Sequence, residues 1–108
     1  MAQNWMKQLI DALHHLEQTL TGAGAVTLTQ PVTALVTTST DALTMADGEA
    51  GQLKFITMRT DGGTGTLTPT NLKDYTTIAF ANVGDWVCLR FDGFEWVIVA
   101  KGRDVAVA

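Results

Sequence analysis

Apolar positions fall into two periods along the chain. Between Asn4 and Leu20, residues Met6, Leu9, Leu13, Leu16 and Leu20 recur at steps of 3, 4, 3 and 4. That is the a/d pattern of a heptad seam. Trp5 and Ile10 widen the stripe, and Lys7, Gln8, Asp11, His14, His15 and Gln18 fill the opposite side. Neither Pro nor Gly interrupts the pattern before Gly22 and Gly24, which stop a helix. The spacing predicts an amphipathic helix over residues 4–20, inside an N-terminal unit of residues 1–22. Two heptads make a marginal helix in isolation. Its stripe therefore needs sister chains, its own β domain or another partner. Met6, Leu9, Leu13, Leu16 and Leu20 are the candidate oligomerisation residues. Trp5 and Ile10 are the candidate partner anchors.

From residue 23 to 108 the period shortens. β-branched residues, Gly and turn signals alternate at short intervals. Strands are expected near 25–29, 32–38, 42–46, 52–60, 64–68, 76–81, 85–91 and 94–100. The Thr-rich stretch from Thr27 to Thr44 has a second reading, an extended arm pairing with another chain. Asp92-Gly93 separates the runs WVCLRF and FEWVIV, which predicts a hairpin with a two-residue type I′ turn. Neither face of that hairpin is cleanly polar, so both faces are expected to be at least half buried. Phe91, Phe94 and Trp96 are its candidate surface-binding residues. Asp47-Gly48 and Asp61-Gly62-Gly63 mark turns, and Thr68-Pro69-Thr70-Asn71 marks a loop. The fold class expected is mainly β: an antiparallel β-sandwich or barrel-like domain preceded by one N-terminal amphipathic α-helix.

Composition narrows the role. The chain has 108 residues, enough for one domain. Hydrophobic residues make up 46% and charged residues only 17%, against roughly 25% charged in an ordinary soluble domain. Seventeen Thr supply hydroxyls in place of charges. A small domain with so few charges is expected to bury part of its surface against other chains. Seven Lys and Arg against eleven Asp and Glu leave a net charge of -4. The basic residues are dispersed singly, so no footprint for phosphates forms, and nucleic acid is not an expected partner. No apolar run reaches the ~18 residues of a membrane span. The N-terminus lacks the basic and apolar regions of a signal peptide. A lone Cys88 offers no disulfide framework, so folding in a reducing cytoplasm is expected.

Candidate chemistry is sparse. His14 and His15 are adjacent and point about 100° apart on a helix, so they do not chelate one metal. Gly63-Thr64-Gly65 lacks the Lys-Ser/Thr of a phosphate loop. Asp47-Gly48-Glu49 lacks the alternating carboxylates of a calcium loop. The only Ser is Ser39, and no nucleophile–base arrangement emerges around it or Cys88. The dispersed carboxylates leave a glycosidase-type pair open, as in a small depolymerase. Most of them sit in turn contexts. The chain reads as a non-enzyme without cofactors.

The run from Ala42 to Val99 resembles a small β domain of virion proteins of tailed bacteriophages, notably marine and cyanobacterial phages. The shared pattern is Asp47-Gly48, Gly51-Gln52-x-Lys54, a Gly/Thr tract into Leu67-Thr68-Pro69, Thr77-Ile78-x-Phe80, Val83-Gly84-Asp85 and a closing aromatic hairpin. The resemblance implies a trimeric structural protein on the phage particle. A chain with this domain and only a helix before it fits a capsid decoration, or cement, protein. Such a protein would bind the major capsid protein on the head surface and stabilise the assembled head. The alternative implied is a tail-fibre or receptor- or glycan-binding module of the virion.

Overall fold

The computed structural model describes residues 16–108, and these form an all-β sandwich of two five-stranded sheets. The chain alternates between the sheets. Sheet I receives β1 (Glu17–Thr21), β3 (Val32–Val36) and β5 (Leu53–Thr60), and sheet II receives β2 (Gly24–Ala25), β4 (Asp41–Met45) and β6 (Gly65–Pro69). Within each sheet these strands run parallel, so Glu17, Val32 and Phe55 stack in one row, as do Leu43 and Leu67 opposite. The first half of the domain is thus wound in three successive coils.

The corners of the coils stack on one another. Gly22 N donates to Val36 O at 2.9 Å, Thr37 N to Thr60 O at 3.1 Å and Asp41 N to Thr64 O at 3.1 Å. The Thr37 hydroxyl donates to Gly63 O at 2.7 Å and accepts from Gly62 N at 2.9 Å. Gly62 approaches the Thr37 carbonyl so closely that a Cβ there would overlap it. The Asp61-Gly62-Gly63 sequence therefore serves close stacking as well as turning.

The second half reverses direction. β7 (Ile78–Phe80) pairs antiparallel with β6, and β8 (Trp86–Phe91) pairs antiparallel with β5. β9 (Trp96–Gly102) forms the hairpin with β8, and β10 (Ala106–Val107) closes sheet II against β7. The sheets are therefore mixed, and not antiparallel as the sequence led us to expect. Local turn signals reveal hairpins, whereas parallel pairing joins residues 15 or more positions apart and leaves no local mark.

Inward positions alternate as sandwich packing requires. Leu35, Ile56, Met58, Val87 and Leu89 face Leu43, Met45, Leu67, Ile78 and Phe80, each at most 1% exposed. Burying each such side chain contributes about 1.5–3 kcal/mol.

Residues 4–15 of the expected helix lie outside the described residues. The remainder is not helical: Leu16 sits in a turn, 40% exposed, and Glu17–Thr21 is a strand. Leu20 packs on the core from that strand. β1 gains a five-residue parallel ladder to β3, and β-branched Thr19 and Thr21 suit it. Of the expected N-terminal unit 1–22, residues 1–15 lie outside the described residues, and Glu17–Thr21 forms β1 in sheet I. Thr27–Thr44 is not an arm for another chain, since β3 and β4 lie inside the two sheets. Pro69 ends β6 and does not stand in a loop.

Candidate functional site

The β8–β9 hairpin organises the surface that is best equipped for contact. Its turn differs from the expected one. Phe91 pairs with Trp96, leaving Asp92, Gly93, Phe94 and Glu95 as a four-residue loop. Gly93 has φ +100°, while Asp92 does not have the positive φ that type I′ demands. The Asp92 side chain replaces that geometry. Its Oδ1 accepts from Phe94 N and Glu95 N, both at 2.8 Å, and Asp92 N donates to Glu95 O at 3.0 Å. The Glu95 and Phe94 amides hold the Asp92 carboxyl below its ordinary range, aided by the charges of Lys73 and Arg90.

This hydrogen-bonded loop projects Phe94, which is 83% exposed. The other two candidate hairpin residues are not at the surface. Phe91 is 4% exposed and Trp96 fully buried, their rings edge-on at 5.2 Å. Trp96 Nε1 donates to Ala46 O at 2.9 Å. Gly51 N donates to Phe91 O at 2.7 Å, and Phe91 N to Gln52 O at 2.9 Å. Residues 46–52 thus brace the hairpin from below, and a ligand at its tip meets Phe94 alone of the three.

The outer face of sheet I adjoins the tip. In β5 the residues Lys54, Ile56 and Met58 point inward, so Leu53, Phe55 and Thr57 point outward. Strand register then sets three rows: Leu53 with Arg90 and Val97, Phe55 with Cys88 and Ala100, and Thr57 with Trp86 and Gly102. Leu53 is 56% exposed, Phe55 36% and Val99, at the bulge in β9, 57%. Phe55 and Trp86 stack at 5.7 Å with 22° between their planes. The outer face of sheet II is different, with rows of Ala42, Thr66 and Ala79 and of Thr44 and Thr68.

The sequence missed Leu53, Phe55 and Trp86 as a group. Its one signal was the absence of a polar face in WVCLRF. Of the candidate oligomerisation residues, Met6, Leu9 and Leu13 lie outside the described residues, as do Trp5 and Ile10. Leu16 and Leu20 are not brought into one seam.

Two buried charged groups are structural. The Asp85 carboxylate accepts from Ala81 N at 2.9 Å, Asn82 N at 3.0 Å and Asp104 N at 3.0 Å. Burial raises its affinity for a proton, but those amides and the Arg103 charge outweigh burial, and the carboxyl lies below its ordinary value. Lys54 is fully buried and donates to Gln30 O at 2.6 Å. Burial lowers its pKa to about 8.

Among the described residues no group of three His, Cys, Asp or Glu is placed to hold a metal ion. Asp47 bonds to Asn71 Nδ2 through both oxygens at 2.9 Å, beside an open depression between residues 28–29 and 47–52. Against models of protein families and against curated proteins, the chain has no match.

Proposed function

We propose that the chain is a structural protein of a phage particle, a capsid decoration protein that acts by binding and not by catalysis. Copies assemble as a homo-oligomer, most simply a trimer, on the head surface and contact the major capsid protein. The observation that carries this reading is the pairing of an apolar outer sheet face with a separate, 83% exposed Phe94 on a hydrogen-bonded loop. One surface serves sister copies and the other serves the shell. The low charge content fits burial of both. Binding only to the assembled shell stabilises it by mass action, and symmetry multiplies each modest contact.

Mixing the purified chain with emptied heads and sedimenting them tests the proposal. Saturable binding in scores of copies per head, with a rise in the shell's melting temperature, is the expected result. Absence of binding to heads rejects it. The exposed Phe94 also favours a second reading, a fibre or glycan-binding module, which predicts only a few copies per particle.

A further inference from the structure

We infer that β1 is a docking edge, on which the shell protein adds an extended strand to sheet I. This inference rests on the decoration reading and names one surface that meets the shell.

The two ends of the β1–β3 ladder set which way each β1 residue faces. Leu16 O accepts from Val32 N at 3.2 Å, and Gly22 N donates to Val36 O at 2.9 Å. In a parallel ladder alternate residues bond to the neighbouring strand. Leu16, Gln18, Leu20 and Gly22 therefore bond to β3, while Glu17, Thr19 and Thr21 turn their amides and carbonyls away from it. Glu17 O accepts from Gln30 Nε2 at 3.1 Å. The amides and carbonyls of Thr19 and Thr21 have no hydrogen-bond partner among the described residues.

Sheet edges are ordinarily blunted against foreign strands. The other three edges are. β2 and β10 have two residues each. β9 bulges at Val99 and carries Lys101, and at its start Trp96 is already paired with Asn71 O and Lys73 N. β1 runs five residues in unbroken register with β3, without Pro, Lys or bulge. Glu17 and Arg59 flank it on the outer face with opposite charges, and Arg59 Nη2 donates to Thr19 Oγ1 at 3.4 Å. The edge therefore carries no net charge that would repel a strand.

Free amides and carbonyls at every second residue, about 6.6 Å apart, match an extended backbone. A second copy can offer only its own β1, and β1 against β1 makes a twofold pair, which does not build a trimer. A strand from the shell meets no such limit. β1 and β9, whose hairpin loop carries Phe94, are opposite edges of sheet I. A strand on β1 thus leaves Phe94 free to make its own contact.

Hydrogen exchange, resolved to single amides by mass spectrometry, tests this on the full-length chain alone and bound to emptied heads. Alone, the Thr19 and Thr21 amides should exchange freely, while those of Gln18 and Leu20 are protected. On heads, Thr19 and Thr21 should gain at least about tenfold protection. Thr19→Pro removes an outward amide and no bond to β3. It should weaken binding to heads at least about tenfold at an unchanged unfolding midpoint. Should the proline lower that midpoint, exchange at Thr19 and Thr21 decides.

Protection of both amides in the free monomer overturns the inference and assigns the edge to the chain's own residues 1–15. Protection that appears only as the mass of the free chain rises assigns it to a second copy and overturns it too. Binding to heads with both amides still exchanging rejects the inference alone and leaves the decoration reading standing. No binding to heads rejects that reading, and this partner with it.

Discussion

The indole of Trp86 lies over the backbone of Gly102, its partner across the β8–β9 ladder. A Cβ on Gly102 would overlap the Trp86 ring at Nε1 and Cε2. The glycine is thus a seat for the aromatic ring. Gly102→Ala should lift the ring, break its stacking on Phe55 and destabilise the domain by about 1–3 kcal/mol. Urea unfolding followed by Trp fluorescence measures both effects, since Trp86 should report a more solvated environment. A variant with wild-type midpoint and emission would remove Gly102 from this role.

Asp85 ties the β7–β8 loop to the segment before β10 through three backbone amides. Asp85→Ala leaves those donors without their acceptor and should cost roughly 3 kcal/mol at neutral pH. The pH dependence has a definite sign. The folded carboxyl binds its proton less readily than the unfolded one. Its stabilisation is therefore complete above the unfolded carboxylate pKa and is lost as pH falls through the lower folded value. Asp85→Asn should flatten the acid limb of the stability curve. An unchanged acid limb would show that other carboxylates set it.

Lys54 acts at the other end of the pH scale. Its pKa falls from 10.5 to about 8 on folding. Between these values the unfolded chain holds more protons, so stability should rise with pH across that window. The whole rise amounts to no more than about 3 kcal/mol. Lys54→Met should remove the rise while preserving the fold, because the methionine chain fills a similar volume. Denaturant titrations at a series of pH values above neutrality test this, and an equal slope in both proteins would refute it.

Much of this architecture was legible in the sequence because its signals are local. Val32–Val36, Asp41–Met45 and Trp86–Phe91 announce themselves as β-branched or alternating runs between turn residues. Two classes of feature were not legible. Parallel pairing is nonlocal: the spacing of Leu16 and Leu20 is helical, and the partner strand β3 that draws residues 17–21 into a sheet lies 15 positions along the chain. Side-chain substitution for backbone geometry is equally hidden: Asp92-Gly93 fits a two-residue turn until the Asp92 carboxylate is seen capping Phe94 and Glu95. The apolar outer face of sheet I was half legible. WVCLRF lacked a polar face, but only register with Leu53 and Phe55 gathers those residues into one patch. Lys54 was concealed by its neighbours, since Leu53 and Phe55 are the more apolar pair and yet point outward.

If the chain is the decoration protein proposed above, Phe94 should separate binding to the shell from stability of the domain. Its ring is 83% exposed, and the loop that carries it is held by backbone and Asp92 hydrogen bonds. Phe94→Ser should therefore leave the unfolding free energy within about 0.5 kcal/mol of wild type. An aromatic anchor that fills a pocket on a partner contributes at least about 2 kcal/mol. Loss of that anchor should weaken binding to emptied heads by about thirtyfold or more, with multivalent binding reducing the apparent change. Co-sedimentation over a range of chain concentrations reads this directly. Wild-type affinity from Phe94→Ser would assign shell contact to another surface, whereas a drop in stability would show that the ring supports the fold itself.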